Sequence, residues 1–231
     1  MEATVSAEAI AANVAAVRRE IAAVCAAHGR DPAGVRLIAV TKSRGPEVLA
    51  ALVAAGVADI AENRVERLEQ MRAAIAAGGH ALSLHGIGRL QSRQLPAVAA
   101  AADVVHGLDN PGHAQRLDRL CGERGRRLPV FIQVSAAGEE QKAGVAPEAL
   151  PALVEGVRAC AWLELVGLMA MAPEIALAGV DAVRRCFAAV QTLAAAHGLA
   201  RLSMGMSQDF THAVAAGATE IRVGTRLFEG A

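Results

Sequence analysis

The sequence predicts a (β/α)8 barrel preceded by one extra helix, a single domain over residues 1–231. Three observations carry this. Eight short runs rich in Val, Ile and Leu are apolar throughout rather than alternating, which suits strands buried on both faces. Helical segments separate them in strict alternation, the pattern of βα units around a parallel sheet. No G-x-G-x-x-G opens the first βα turn, which disfavours the open doubly wound sheet, the competing architecture.

The elements follow in order. Ile10, Val14, Val17, Ile21 and Val24 recur at steps of four and three, one face of an N-terminal helix capped near Ser6 and stopped at Gly29. Strands are then expected at 35–41, 57–61, 82–87, 103–108, 129–135, 163–170, 200–204 and 219–223. Helices are expected near 46–55, 64–77, 91–101, 111–125, 147–158, 179–197 and 208–216. Ala-rich stretches such as Ala97 to Ala102 read as helix filler.

Composition excludes several functions. The chain is 54% hydrophobic and 20% charged, enough apolar residue for a large core. Its 23 basic and 23 acidic residues balance, so no global basic field points to nucleic acid. Aromatics are scarce, with four Phe, one Trp and no Tyr, which argues against stacking on single-stranded bases. Cys25, Cys121, Cys160 and Cys186 form no C-x-x-C pair and read as buried free thiols of a reducing compartment. Arg18, Arg19 and Glu20 interrupt the N-terminus early, and no apolar run approaches the ~20 residues of a membrane span. A cytoplasmic protein with no membrane partner is expected.

Only two of the basic residues are lysines, Lys42 and Lys142. Arginine serves most surface purposes as well as lysine, but it cannot form a Schiff base. The count alone leaves open whether the two lysines matter, so position decides. Chemistry in a barrel gathers at the C-terminal ends of the strands. Read in order, those ends give Lys42, Glu62-Asn63, His85-Gly86-Ile87-Gly88, Asp109-Asn110, Ser135, Met169-Ala170-Met171, Ser203-Met204-Gly205-Met206-Ser207 and Arg222-Val223-Gly224-Thr225. Loops after strands 7 and 8 are the usual phosphate site of this fold. Ser207 reads as an N-cap of the helix after strand 7, and Gly224-Thr225 offers a small residue beside a hydroxyl. Each signal is weak alone; together with a strand-1 lysine they point to a phosphorylated ligand held by an amine. His85 is read as either a satisfied core histidine or a site-lining one, Asn63 as a helix cap or a ligand contact, and Met169 and Met171 as barrel packing or the flank of a flat ring. The arginines of 116–127 read as a solvated helix face and its end.

These residues resemble the pyridoxal phosphate homeostasis protein family, whose barrel is like the N-terminal barrel of alanine racemase. The resemblance covers roughly residues 8 to 230. It is most specific over Ser203-Met204-Gly205-Met206-Ser207-Gln208-Asp209-Phe210 and Gly217-Ala218-Thr219-Glu220-Ile221-Arg222-Val223-Gly224-Thr225. Ala39-Val40-Thr41-Lys42, Glu62-Asn63, His85-Gly86-Ile87-Gly88, Gly138 to Gly144 and Gly167 to Met171 support it. The resemblance implies pyridoxal 5'-phosphate as cofactor, held by Lys42 as an internal aldimine. It implies that Ser207, Gly224 and Thr225 bind the phosphate with help from Ser203 and Gly205. It implies that Arg222 faces the pyridine nitrogen and that Asn63, His85 and Met169 line the ring. The implied partners are the cofactor, other B6 vitamers and apoenzymes that use the cofactor, with a monomer or weak dimer sufficient. Three departures stand out: Arg64 where the family has Tyr, Leu84 where it has an aromatic, and Gly88-Arg89-Leu90-Gln91-Ser92-Arg93-Gln94 in place of its Gly-Pro-Leu-Gln-x-Asn-Lys pattern.

Related racemases use a second base, a tyrosine carried by another domain. The sequence contains no Tyr and ends about six residues after Thr225, so a non-catalytic carrier is expected. A racemase or lyase using Lys42 with His85 or Lys142 is the alternative. A cofactor-free barrel that forms a lysine Schiff base with a sugar phosphate is a third reading.

Overall fold

The computed structural model describes residues 6–136 and 144–231. Eight parallel strands close into a barrel in sequence order, β1 pairing with both β2 and β8. They are β1 (Arg36–Val40), β2 (Asp59–Glu62), β3 (Ser83–Gly86), β4 (Val104–Leu108), β5 (Leu128–Gln133), β6 (Leu163–Met169), β7 (Arg201–Ser203) and β8 (Glu220–Val223). Each falls within or against an apolar run read from the sequence, because a strand covered by helices outside and packed side chains inside has little use for polar alternation.

The helices are α1 (Ala7–Ala27), α2 (Leu49–Ala54), α3 (Val65–Gly78), α4 (Leu95–Ala101), α5 (Pro111–Gly122), α6 (Leu150–Arg158), α7 (Ile175–Ala196) and α8 (Phe210–Ala215). Short 3-10 turns lead into α2, α4 and α6. Helix α7 is two pieces: Gly179, at φ 78° and ψ 164°, breaks it near the point where the sequence places its start. No helix of the described residues is long and apolar enough to cross a membrane.

Helix α1 begins where its cap requires, the Ser6 hydroxyl accepting the Ala9 N–H at 3.2 Å. Its buried face is Ile10, Val14, Val17, Ile21 and Cys25. Val24 packs against the core as expected but is only partly buried, and Cys25, a step of four after Ile21, is the buried residue of that turn. That face covers the seam where the first and last βα units meet, against α2, α8 and the C-terminal turn. The polar side is bonded across the same seam: Asn13 Nδ2 donates to Glu229 O at 2.9 Å, and Arg18 donates to Ala55 O at 2.9 Å and Gly56 O at 2.6 Å. Each fully buried aliphatic residue on this face contributes about 1.5–3 kcal/mol.

The main apolar core lies between the strands and the helices. Inside the barrel the filling is different. Ile38, Val40 and Ala61 form one small apolar cluster, and Val104, Phe131 and Met169 form another. Buried polar residues run through the same interior: Asp59, His85, His106, Ser203, Glu220 and Arg222. The four cysteines form no disulfide with one another; Cys25, Cys121 and Cys186 are buried as expected, whereas Cys160 is partly exposed.

Candidate functional site

Lys42 stands two residues beyond the end of β1, in a turn whose backbone is held from three sides. Thr41 N–H donates to Ala61 O at 3.1 Å and Arg44 N–H to Thr41 O at 2.8 Å. Thr41 Oγ1 donates to Glu62 Oε1 at 2.6 Å. Arg67 on α3 donates to Glu62 Oε1 at 3.3 Å, to Thr41 O at 3.3 Å and also to Arg44 O. Arg44 Nη2 donates to Phe228 O at 2.9 Å. Within this fixed turn the Lys42 side chain is exposed and bonds to none of the described residues. Glu62 is 1% exposed, and its Oε2 has no hydrogen-bond partner among them. The sequence reading used Glu62 only as a neighbour of Asn63 and did not single out Arg67.

The β7 and β8 loops meet beside this turn. Gly224 follows β8, next to the end of β1, where Ala39 pairs with Val223. A Cβ on Gly224 would lie 3.1 Å from Val40 O, so a side chain there would press on the end of β1. Gly224 N–H donates to Ser207 Oγ at 3.3 Å, which joins the two loops and leaves the Ser207 hydroxyl hydrogen available. Ser207 is therefore not the cap of α8, correcting the sequence reading. Asp209 flanks that helix instead, and its carboxylate accepts the Met206 N–H at 2.5 Å. The backbone N–H groups of Ser207, Gln208 and Thr225 have no acceptor among the described residues. Donors on two facing loops, with a glycine that keeps side chains out, fit a phosphate group.

Gly205 has φ +94°, and a Cβ there would lie 2.6 Å from Ala213 Cβ and 2.9 Å from Phe210 Cα. Its carbonyl accepts the Arg222 N–H at 3.0 Å. Gly205→Ala is expected to cost about 2–4 kcal/mol, from backbone strain and overpacking together, read as a lower urea midpoint at unchanged m-value.

Arg222, two residues before Gly224, is buried. Its Nη1 donates to Ser203 O at 2.7 Å and Ser203 Oγ at 2.6 Å, and its Nη2 to Ala170 O at 3.0 Å. Burial pushes the guanidinium down to about 10, opposed by the Asp209 and Glu220 carboxylates, so it stays charged at neutral pH.

Three expected contacts differ. Ser203 is fully buried, its hydroxyl engaged by Arg222 and by His106 Nδ1 at 2.7 Å, so it belongs to the barrel interior and not to the cradle. His85 is fully buried too, with Nδ1 at 2.8 Å from His106 Nε2 and Nε2 at 3.0 Å from Asp59 Oδ1. It does not line the mouth; an imidazole on the inner face of β3 finds polar partners only in the interior. Met169 packs inside the barrel in the cluster with Phe131 and Val104. Asn63 is exposed at the rim, and α3 starts after Arg64 with no side-chain cap, which removes the capping alternative. Gly88 explains the close approach of the β2 and β3 loops: a Cβ there would lie 2.0 Å from Asn63 O. Lys142 lies outside the described residues. Arg126 is not solvated as expected, for it donates to Ala99 O at 2.8 Å and Ala102 O at 2.7 Å.

His106 is the buried group the sequence reading missed. Burial holds its pKa well below the usual imidazole range, helped by the charges of Arg222 and Arg201. The unfolded chain takes up a proton near pH 6.5 that the fold excludes. This contribution to stability is full above about pH 6.5 and is lost as pH falls toward the depressed folded value. Thermal unfolding between about pH 7.5 and about pH 5.5 is expected to lose up to ~1.4 kcal/mol per unit from this group, and His106→Gln is expected to flatten that slope.

A cavity of about 360 Å³ opens at the opposite mouth, lined by Arg18, Arg36 and Asp59 among others. The lysine turn and the facing donor loops are not there, so we assign the site to the C-terminal mouth on its chemistry.

The family model for the alanine racemase N-terminal domain matches residues 5–231. The Pseudomonas aeruginosa pyridoxal phosphate homeostasis protein is 40% identical over 224 residues, covering 95% of this chain and 94% of that protein. PipY of Synechococcus elongatus, solved with PLP bound, superposes with a TM-score of 0.82 at 33% identity, covering 95% of this chain and 99% of PipY. Alanine racemase from Corynebacterium glutamicum shares the fold, with a TM-score of 0.71 at 18% identity over 96% of this chain and 60% of the racemase.

Proposed function

Because this chain belongs to the pyridoxal phosphate homeostasis protein family, and so to the proteins built on the alanine racemase N-terminal barrel, we propose that it binds pyridoxal 5'-phosphate covalently through Lys42 and serves cofactor homeostasis without turning over a substrate. The observation that carries this reading is the junction of the Lys42 turn with the β7 and β8 loops through Val40, Gly224 and Ser207. When bound, the cofactor supplies an aldehyde that condenses with a primary amine, releasing water, and a phosphate that needs donors.

The chain's own groups meet those needs. Lys42 offers a primary amine on a turn held by Glu62, Arg67 and Phe228. The Ser207 hydroxyl and the N–H groups of Ser207, Gln208 and Thr225 offer donors to the phosphate, with Gly224 keeping the approach open. Arg222 offers a cation near the β8 loop, and a cation there disfavours a second positive charge on a ring nitrogen beside it. An unprotonated ring is the poorer electron sink, which favours holding the cofactor over carbanion chemistry.

The groups that would act as a second base are also disfavoured among the described residues. The sequence contains no tyrosine, and the ring nitrogens of His85 and His106 are committed inside the barrel. PipY with PLP bound supports the choice of cofactor by likeness. Incubating the loaded protein with L- and D-alanine in deuterated water is expected to leave the α-hydrogen in place; deuterium at that carbon, followed by mass spectrometry, would turn the reading toward a racemase-like enzyme.

A further inference from the structure

We infer that Asp59, His85 and His106 are positioning residues that act through Ser203 to fix Arg222 beside the β8 loop, where it would face the cofactor, by a one-way hydrogen-bonded chain across the barrel in which both histidines are neutral and protonated on Nε2. The role toward the cofactor rests on the reading of the C-terminal mouth given above.

Direction follows from what each group can do. A guanidinium only donates, so Ser203 Oγ accepts from Arg222 Nη1 at 2.6 Å. The Ser203 hydroxyl hydrogen then goes to His106 Nδ1 at 2.7 Å. With Nδ1 accepting, His106 carries its proton on Nε2 and donates to His85 Nδ1 at 2.8 Å. His85 in turn donates from Nε2 to Asp59 Oδ1 at 3.0 Å, and that oxygen also accepts from Arg36 Nη1 at 3.0 Å. A fixed cation at one end and a carboxylate at the other polarise every bond the same way.

The reverse direction fails on two counts. If His106 donated to Ser203, the serine hydroxyl would have no acceptor among the described residues, at a cost of about 1–3 kcal/mol for a buried donor. His85 would also have to donate from both nitrogens, putting an imidazolium in a fully buried position.

The surroundings agree with neutral rings. His106 faces His85 from β3, Arg201 and Ser203 from β7, Arg222 from β8, and it stacks on Phe131 from β5 with ring centroids 4.4 Å apart. Glu220 on β8 is paired with Arg201. Asp59 is held below the usual carboxylate range: burial works against it, but the hydrogen bond from His85 and the Arg36 guanidinium outweigh that. Loss of the His106 acceptor frees the Ser203 hydroxyl to rotate and so loosens one of the acceptors that hold the Arg222 guanidinium, while His85 and Asp59 act by keeping His106 in the accepting tautomer.

Two measurements test the chain. Long-range 1H–15N correlation spectra of the cofactor-free protein, assigned with His85→Gln and His106→Gln, report which nitrogen carries each proton. Both rings are expected to be Nε2–H tautomers at neutral pH. An imidazolium at His85 or an Nδ1–H tautomer at either ring overturns the inference. The second measurement follows cofactor release by visible absorbance. His106→Leu, which cannot accept from Ser203, is expected to release the cofactor about tenfold faster, with a shifted pH titration of the bound chromophore. His106→Gln, which offers an acceptor and a donor, is expected to restore both to within about threefold. Release and titration unchanged in His106→Leu, or no rescue by His106→Gln, would overturn the positioning role. A wild-type protein that takes up no cofactor would refute the function proposed for the mouth and the positioning role with it, while the spectra would still decide the direction of the chain.

Discussion

Arg222→Leu is expected to destabilise the protein by about 3–5 kcal/mol, the range for removing one partner from a buried charged network. The leucine would leave Ser203 O, Ser203 Oγ and Ala170 O without their donor. It would also deprive the buried Asp209 carboxylate of a cation that offsets it, while Glu220 keeps its pair with Arg201. Each orphaned acceptor costs about 1–3 kcal/mol, and these terms overlap because they share one guanidinium. Arg222→Lys keeps the charge but offers a point donor where a planar fork is bonded, so an intermediate loss is expected. Urea titration of the cofactor-free variants measures both. A loss under about 1 kcal/mol for the leucine variant would mean that the interior network adds little to the fold.

Lys42→Ala should do the opposite. The side chain is exposed and bonds to none of the described residues, so the cofactor-free variant is expected to unfold within about 0.5 kcal/mol of the parent. Its hold on the cofactor, however, falls back on the phosphate donors and Arg222 alone. Affinity is expected to drop at least about 100-fold, equivalent to ~2.7 kcal/mol, and the yellow colour should be lost on gel filtration. The pair separates two kinds of residue in one site: Arg222 is built into the barrel, whereas Lys42 is presented by it.

That distinction marks what was legible in the sequence. The barrel was legible because strands covered on both faces must be apolar throughout, and the runs at 35–41, 103–108 and 163–170 announce that locally. Lys42, Gly205, Ser207 and Gly224 were legible because they sit at strand ends, where this fold gathers its chemistry. The interior network was not. His106 lies in the middle of Val104-Val105-His106-Gly107-Leu108, and its partner Ser203 is nearly a hundred residues away, so only barrel closure brings them together. The same holds for the Lys42 turn: nothing local ties Arg67 to the carbonyls of Thr41 and Arg44, yet α3, which follows β2, lies beside the segment after β1 and does so. Ser207 was misread as a cap because a serine before a helix is ambiguous until its hydroxyl is seen to take the N–H of Gly224.

The central claim is a covalent hold on pyridoxal 5'-phosphate at one amine of two. Borohydride reduction of the loaded protein, followed by proteolysis and mass spectrometry, tests it most directly. The expected result is one reduced cofactor adduct per chain, on the peptide containing Lys42. An adduct on Lys142, or a protein that carries no adduct after loading with the cofactor, would contradict it.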